Sequence, residues 1–259
     1  MSDFYFKSPG EARLFFRKSE TAIPTAGLCR PEYIQANLVI LSDEDSPEFL
    51  EFAHMNPKPC PLLEVLCDGT PISKEMAPQS DVTTDIPKYS VYKNGVLVEE
   101  PLSVQQYWDK NMTGFLIGCS LTFEAALVNA GIRLKHYEEN KRVPMYDTNI
   151  ACAPTKKFFG NYVVSMRPIK KDLIDTAVEI TSKMEYAHGA PVHIGDPSKI
   201  GITNVNCPDY GDALSINDDE VPVFWACGVT PQAVAKKAKP KMMIAHSPGY
   251  MLICDKKII

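Results

Sequence analysis

Apolar and polar positions alternate in short, well-punctuated runs that predict strands and helices in succession. Ser8-Pro-Gly-Glu11 is a capping box with proline at the first helical position, and it predicts a helix through about Lys18. Ser46-Pro47 repeats the cap-and-proline signal, after which Phe49, Phe52 and Ala53 form a stripe at i, i+3, i+4 spacing. Ser103-Val-Gln-Gln106 is a third capping box. Between these lie β-compatible runs at Ala36–Leu41, Pro61–Leu66, Tyr89–Tyr92 and Val96–Val98. Strand, helix and strand over residues 36–66 have the form of a β-α-β unit, which predicts an open α/β layer. Tyr89–Val98, with Lys93-Asn94-Gly95 between its arms, predicts a hairpin.

The pattern changes in the middle of the chain. Arg133–Pro144 is polar and charged, a crossing into a second unit. A strand follows at Tyr162–Met166, then a helix over about Lys171–Met184 with Leu173, Ala177, Ile180 and Met184 at helical spacing. Val192–Ile194 completes a β-α-β-sized module, and Asn206–Asp212 is rich in turn formers. Val221–Ala226 resumes an apolar strand, before a helix at 231–239 and strands near 242–245 and 250–254. The fold class expected is α/β. A larger three-layer α/β domain would comprise residues 1–132 and 217–259, with a smaller α+β domain containing the β-α-β module inserted at 133–216.

Composition narrows the function classes. The 259 residues are 45% hydrophobic and 23% charged, as in soluble globular proteins. A net charge of −5 argues against a nucleic-acid partner, because neutralising phosphates requires clustered cations. The run Lys236–Lys241 fits the C-terminal end of a helix dipole better than a binding patch. No apolar stretch reaches the ~18 residues of a membrane span, and the N-terminus lacks a signal-peptide core. Eight cysteines form no CxxC pair or regular framework, so they read as reduced thiols in a cytoplasmic compartment.

Four segments carry candidate chemistry. Phe115–Glu124 is an apolar run that breaks at Gly118 and enters a helix, where the N–H groups of Cys119 and Ser120 could receive an anion. Gly118-Cys-Ser-Leu-Thr122 half-resembles a nucleophile elbow, with Thr122 where the second glycine belongs. Cys119 is the alternative nucleophile there, set against a plain packing role. In Val163-Val-Ser-Met-Arg-Pro168, alternation points Ser165 and Arg167 one way and Val164 and Met166 the other. A strand-end arginine suits a carboxylate ligand, and a structural ion pair equally well.

The third segment, His188-Gly-Ala-Pro-Val-His-Ile-Gly-Asp-Pro197, holds two imidazoles and a carboxylate on a stretch stiffened by proline. His188 and His193 are five residues apart, so in an extended chain they face opposite ways and do not chelate one metal. Cysteine and histidine spacings elsewhere give no closed zinc set, so no metal is expected, and no cofactor is invoked. His193 and Asp196, near one turn, remain as an acid/base and its orienting partner, or as substrate hydrogen-bonders. The fourth segment, Val221–Gln232, reads as a strand, a glycine turn and a helix capped by Thr230-Pro231, with its N-terminus at the ligand side of a sheet.

These segments occur together, and in the same order, in one family. They include PTAGL at 24–28, QANLVIL at 35–41, NPKPCPLLEV at 56–65, GCSLTFEAAL at 118–127 and RVPMYDTNI at 142–150. VVSMRPI at 163–169, HGAPVHIGDP at 188–197 and VPVFWACGVTPQ at 221–232 follow. From about Pro24 to Asp255 the chain closely resembles the hydro-lyase family that also includes the D-glutamate cyclases. One departure is His246-Ser-Pro-Gly-Tyr250, where the family pattern ends in a second histidine.

The resemblance implies an enzyme built of two interlocked α/β units that converts D-glutamate to 5-oxo-D-proline and water. On that chemistry Arg167 would clamp a substrate carboxylate, with Ser165 beside it and N–H groups at Cys119 and Ser120 assisting. His193 and Asp196 would handle protons, and Glu124 is a second carboxylate that we expect to turn along its helix. Gly118, Asn149, His188 and Trp225, from the same motifs, would complete the substrate contacts. Two alternatives stand beside this: an amide or lactam hydrolase using Cys119, and a non-catalytic protein that binds small carboxylates. A small-molecule partner is common to all three, with homo-oligomerisation left open.

Overall fold

The computed structural model describes residues 5–25, 28, 32–67 and 69–258; Cys29 and the Ala26-Gly27 part of one motif lie outside them. Every strand pairing within its two sheets is antiparallel. The larger sheet contains β1 (Tyr33–Ser42), β2 (Leu62–Leu66), β3 (Tyr89–Lys93), β4 (Val96–Glu99) and β5 (Met112–Gly118), with β10 (Met242–His246) and β11 (Leu252–Lys257) from the end of the chain. Its order is β2-β5-β1-β10-β3-β4, with β11 also paired to β1. The smaller sheet has the order β6-β7-β9-β8, from β6 (Met145–Ala151), β7 (Asn161–Lys170), β8 (His193–Ile194) and β9 (Glu220–Ala226). The expected α/β class holds. The strand at Val221–Ala226, expected in the larger unit, is hydrogen-bonded to β7 in the smaller sheet.

Both sheets use the same device. β1 and β2 are each antiparallel to β5, so they run parallel to one another with β5 between them. Helix α2 (Ser46–Met55) links them. In the smaller sheet β7 and β8 flank β9 in the same way, joined through α5 (Ile174–Ser182). The sequence pattern of strand, helix and strand is thus real, with a third strand inserted in each case.

Alternation along β1 builds two cores. Ala36, Leu38 and Ile40 face a cluster with Met76, Val82, Ile86 and Val104, contributed by irregular chain. Val39 and Leu41 face Phe49 and Phe52 of α2 and Val234 and Ala235 of α6 (Val229–Ala238). Truncating a fully buried phenylalanine such as Phe49 or Phe52 costs roughly 3–5 kcal/mol, which is how strongly the stripe pins α2 to the sheet.

Local signals fared differently. Ser8 caps α1 (Pro9–Lys18), its Oγ accepting from Glu11 N–H at 3.2 Å, while Glu11 reaches back to Lys7 N–H at 3.0 Å. Asp45 rather than Ser46 precedes α2 and makes no side-chain capping bond, while the Ser46 hydroxyl donates to the Ser42 carbonyl at 2.8 Å. The box at Ser103 yields only one 3-10 turn, Gln105–Tyr107. The hairpin forms as expected, with Asn94 and Gly95 at φ 51° and 79°, the left-handed pair that a two-residue turn requires.

Candidate active site

The chain passes between the sheets just after β5, through a 3-10 turn at Ser120–Phe123 into α3 (Glu124–Asn129). That junction lies over β7, whose alternation sends Val164 and Met166 into a core with Tyr146 and Phe224. Ser165 and Arg167 take the other face, as the sequence predicts. Arg167 is only 1% exposed there. Its Nε donates to Glu124 Oε1 at 2.8 Å, and Nη2 donates to the same oxygen. Nη1 donates to Ser165 Oγ at 3.1 Å and Nη2 to Ser120 Oγ at 3.2 Å. The rings of Phe123 and Trp225 lie 4.9 and 5.7 Å from the guanidinium carbon, so π faces line the cation where water would otherwise sit.

Glu124 therefore turns into the cluster instead of along its helix. As the first residue of α3 it leaves the 3-10 turn pointing at β7, and its Oε2 accepts from Tyr137 Oη at 2.7 Å, with His136 Nε2 at 3.3 Å. Burial alone would raise this carboxyl, but the Arg167 charge and the His136 and Tyr137 contacts bring it down to about 2. Arg167 and Glu124 form a neutral buried pair, so the arginine is not a bare clamp: four of its N–H···O contacts are already made within the protein.

Ser120 sits at the end of this relay. Its Oγ accepts from Arg167 Nη2 and from Ser165 Oγ, at 3.2 and 3.4 Å. With both lone pairs used, its single hydrogen is free to be donated elsewhere. Cys119 beside it is nearly buried, and burial pushes its thiol up to about 12, so it stays protonated near neutrality. A nucleophilic cysteine needs the thiolate, and the hydrolase alternative loses its support here.

Gly118 serves packing. Its N–H donates to the Pro61 carbonyl at 2.9 Å, its carbonyl accepts from Asn37 Nδ2 at 2.7 Å, and a Cβ on it would lie 1.8 Å from the Tyr186 carbonyl oxygen. That close approach seats the turn Glu185–Ala187, and His188 after it, against the end of β5. His188 is 1% exposed, with Nδ1 donating to the Lys58 carbonyl at 2.9 Å. Burial first, and then the charge of Arg167, push its imidazole down to about 4.

The other expected site residues lie elsewhere. His193 pairs with Phe224 across β8 and β9, and its ring lies 5.8 Å from that phenylalanine, on the sheet face away from Arg167. Its Nε2 donates to the backbone carbonyl of Asp196 at 2.7 Å, while the Asp196 carboxylate caps the turn Pro197–Ile200 by accepting from Ser198 N–H at 3.0 Å. The Ser198 hydrogen bonds hold that carboxyl below its usual range. These two residues are not brought to Arg167, because register in β8 fixes their face. Asn149 is exposed on β6 beside Gly201. Trp225 forms a wall: its indole N–H donates to Thr181 Oγ1 at 3.2 Å.

Sequence reasoning missed His136, Tyr137 and the Lys58 carbonyl. The first two lie in a charged stretch without apolar periodicity, which looks like a linker. Lys58 stands between Pro57 and Pro59, and that rigidity was its one visible signal. Among the described residues no three His, Cys, Asp or Glu side chains converge as metal ligands would.

Comparison with known proteins fits this picture. The D-glutamate cyclase family model matches residues 113–255, which include β5 from its second residue, α3, β7 and the His188 turn. Three relatives carry the name "Putative hydro-lyase". The Bacillus licheniformis protein is 53% identical, covering 95% of this chain and 94% of its own length. The Psychrobacter arcticus protein is 50% identical over 99% and 97%. The Bacillus subtilis protein is 49% identical over 96% of each. With the family model spanning more than half of the chain and relatives of this similarity over nearly all of it, the chain belongs to the D-glutamate cyclase family of hydro-lyases.

Proposed function

We propose that the protein interconverts D-glutamate and 5-oxo-D-proline plus water, with the substrate carboxylate received at Ser120. The observation that carries this is the buried relay from Arg167 through Ser165 to Ser120, compensated by Glu124. A hydroxyl with one lone pair held by a cation and the other by a hydroxyl that the same cation engages is a polarised donor, suited to a carboxylate oxygen or to the anionic oxygen that develops as the ring closes. Its low-dielectric surroundings strengthen that donation. Arg167 acts in this scheme through the two serines, as a positioning residue.

The balance of the reaction suits a site of this kind. The α-ammonium and the γ-carboxylate of glutamate become an amide N–H and water, so one C–N bond forms, one C–O bond breaks and two protons move from nitrogen to the departing oxygen. No net charge is created. Substrate and lactam each carry one net negative charge, so the site meets the same charge before and after the reaction.

Purified protein incubated separately with D-glutamate, L-glutamate and 5-oxo-D-proline, with products followed by chiral chromatography, tests the reaction. Conversion confined to the D compounds is expected, and no conversion in either direction removes this function. Ser120→Ala should raise KM or lower kcat at least ~10-fold, the worth of one charge-assisted hydrogen bond. Wild-type kinetics in that variant would remove the Ser120 assignment.

A further inference from the structure

We propose that His188 is the catalytic proton acceptor of this site, its Nε2 taking the proton that the reacting nitrogen of the substrate gives up. The substrate named here rests on the D-glutamate chemistry above; the assignment of the atom rests on the imidazole itself. A carbonyl oxygen can only accept, so the 2.9 Å contact to Lys58 fixes the hydrogen on Nδ1 and leaves Nε2 with a bare lone pair. Nε2 is buried and makes no hydrogen bond of normal geometry, the Gly118 backbone being a second, weaker neighbour that favours the protonated ring. A buried polar atom without a hydrogen bond costs stability, so the position calls for an occupant or a function; His136 Nδ1 is unpaired in the same way, but its Nε2 is engaged by Glu124.

The backbone is committed to the same end. His188 has φ 77°, the left-handed region that side chains with a Cβ seldom occupy, at the C-terminal end of the turn that the missing Cβ of Gly118 lets dock. Pro57 and Pro59 hold the Lys58 carbonyl on the other side. Burial first, and then the positive charges of Arg167 and Lys58, outweigh the Lys58 and Gly118 backbone contacts that favour the charged ring, and keep the imidazole neutral. The carboxylates of an incoming substrate oppose those charges and make the lone pair a stronger base. Each proton leaves nitrogen for Nε2 and passes to the departing γ-oxygen as the C–N bond forms and the C–O bond breaks. The imidazole is neutral before and after the cycle, so the only products are the lactam and water.

Heteronuclear NMR of histidine-15N-labelled wild-type protein tests this apart from turnover. His188 is identified by its absence from the spectrum of His188→Gln. Between pH 7 and pH 5 the free protein should show Nδ1 protonated and Nε2 bare, and 5-oxo-D-proline or D-glutamate should move the Nε2 resonance. His188→Gln should bind 5-oxo-D-proline within ~3-fold of wild type by calorimetry while losing ~100-fold or more in kcat in both directions. A proton on Nε2 in the free protein, an Nε2 resonance indifferent to both compounds, or full turnover by the variant overturns the proposal. If wild-type protein converts neither compound, the cyclase function falls, and the response of Nε2 to the ligands still decides for or against the base. Should the variant not fold, triple-resonance assignment of the wild-type protein identifies the His188 ring, and the wild-type spectra decide alone.

Discussion

Glu124→Gln is the sharpest probe of the buried pair. The substitution keeps size and one carbonyl acceptor but removes the charge that compensates Arg167. The two side chains are 1% and 2% exposed, so water cannot take over the role of the carboxylate. Breaking such a pair from one side costs about 3–5 kcal/mol, since the remaining charge stays buried. Against a total stability of roughly 5–15 kcal/mol, that is a large fraction. At ~2–4 °C per kcal/mol for a chain of this size, Tm should fall by about 10 °C. Urea denaturation at pH 7 measures the loss directly, and a double-mutant cycle isolates the pair. Arg167→Met combined with Glu124→Leu should recover most of the stability, because an apolar pair of similar volume pays no desolvation. A Glu124→Gln protein within 1 kcal/mol of wild type, or a coupling energy below ~1 kcal/mol, would refute the claim that each charge depends on the other.

Other outcomes follow from the same geometry. Burial pushes both His188 and His246 down to about 4, so below pH 6.5 the unfolded chain takes protons that the fold refuses. Stability should be flat above pH 6.5 and fall toward pH 4, by roughly 2 kcal/mol per histidine at pH 5, with Glu124 and similar carboxylates contributing only below about pH 4.5. Urea midpoints at pH 7 and 5 check this, and His246→Gln should remove about half of the drop; equal midpoints contradict it. Gly118→Ala drives a methyl to 1.8 Å from the Tyr186 carbonyl oxygen and should displace the His188 turn, read as a lower Tm and as faster amide exchange at residues 185–189. Cys119→Ser should leave turnover within ~3-fold of wild type, because the thiol is held protonated; abolished activity would restore a covalent mechanism.

Much of the fold was legible because it is written in short-range patterns. Ser8-Pro-Gly-Glu11, the Phe49–Phe52–Ala53 stripe and Asn94-Gly95 each specify local geometry that the tertiary structure leaves intact. β6 was not legible: its exposed Asp147 and Asn149 interrupt any apolar run. Of the site, Ser165 and Arg167 followed from strand period alone. His193 and Asp196 misled because the residue types promise proton chemistry, while the face they occupy is decided by pairing with β9, a partner some 30 residues away in sequence. Glu124 was misjudged for a related reason: a helix that starts from a 3-10 turn has its first side chain aimed by that turn, and no periodicity reveals the angle.

The inserted strands also set an order of assembly. β1 lies between β5 and β10, and Val39 pairs with Ala245 across roughly 200 residues of chain, with the whole smaller sheet formed by segments in between. The smaller sheet draws only on residues 145–226 and needs no later strand. Loop closure must be made before such distant pairings reward it, so the larger sheet should be the slow step of folding. During synthesis β1 would wait with an open edge until β10 leaves the ribosome, and the β5 end that carries Ser120 would reach its final frame only then. Slow maturation of activity, trailing the first appearance of secondary structure in refolding, would be the kinetic mark of this topology.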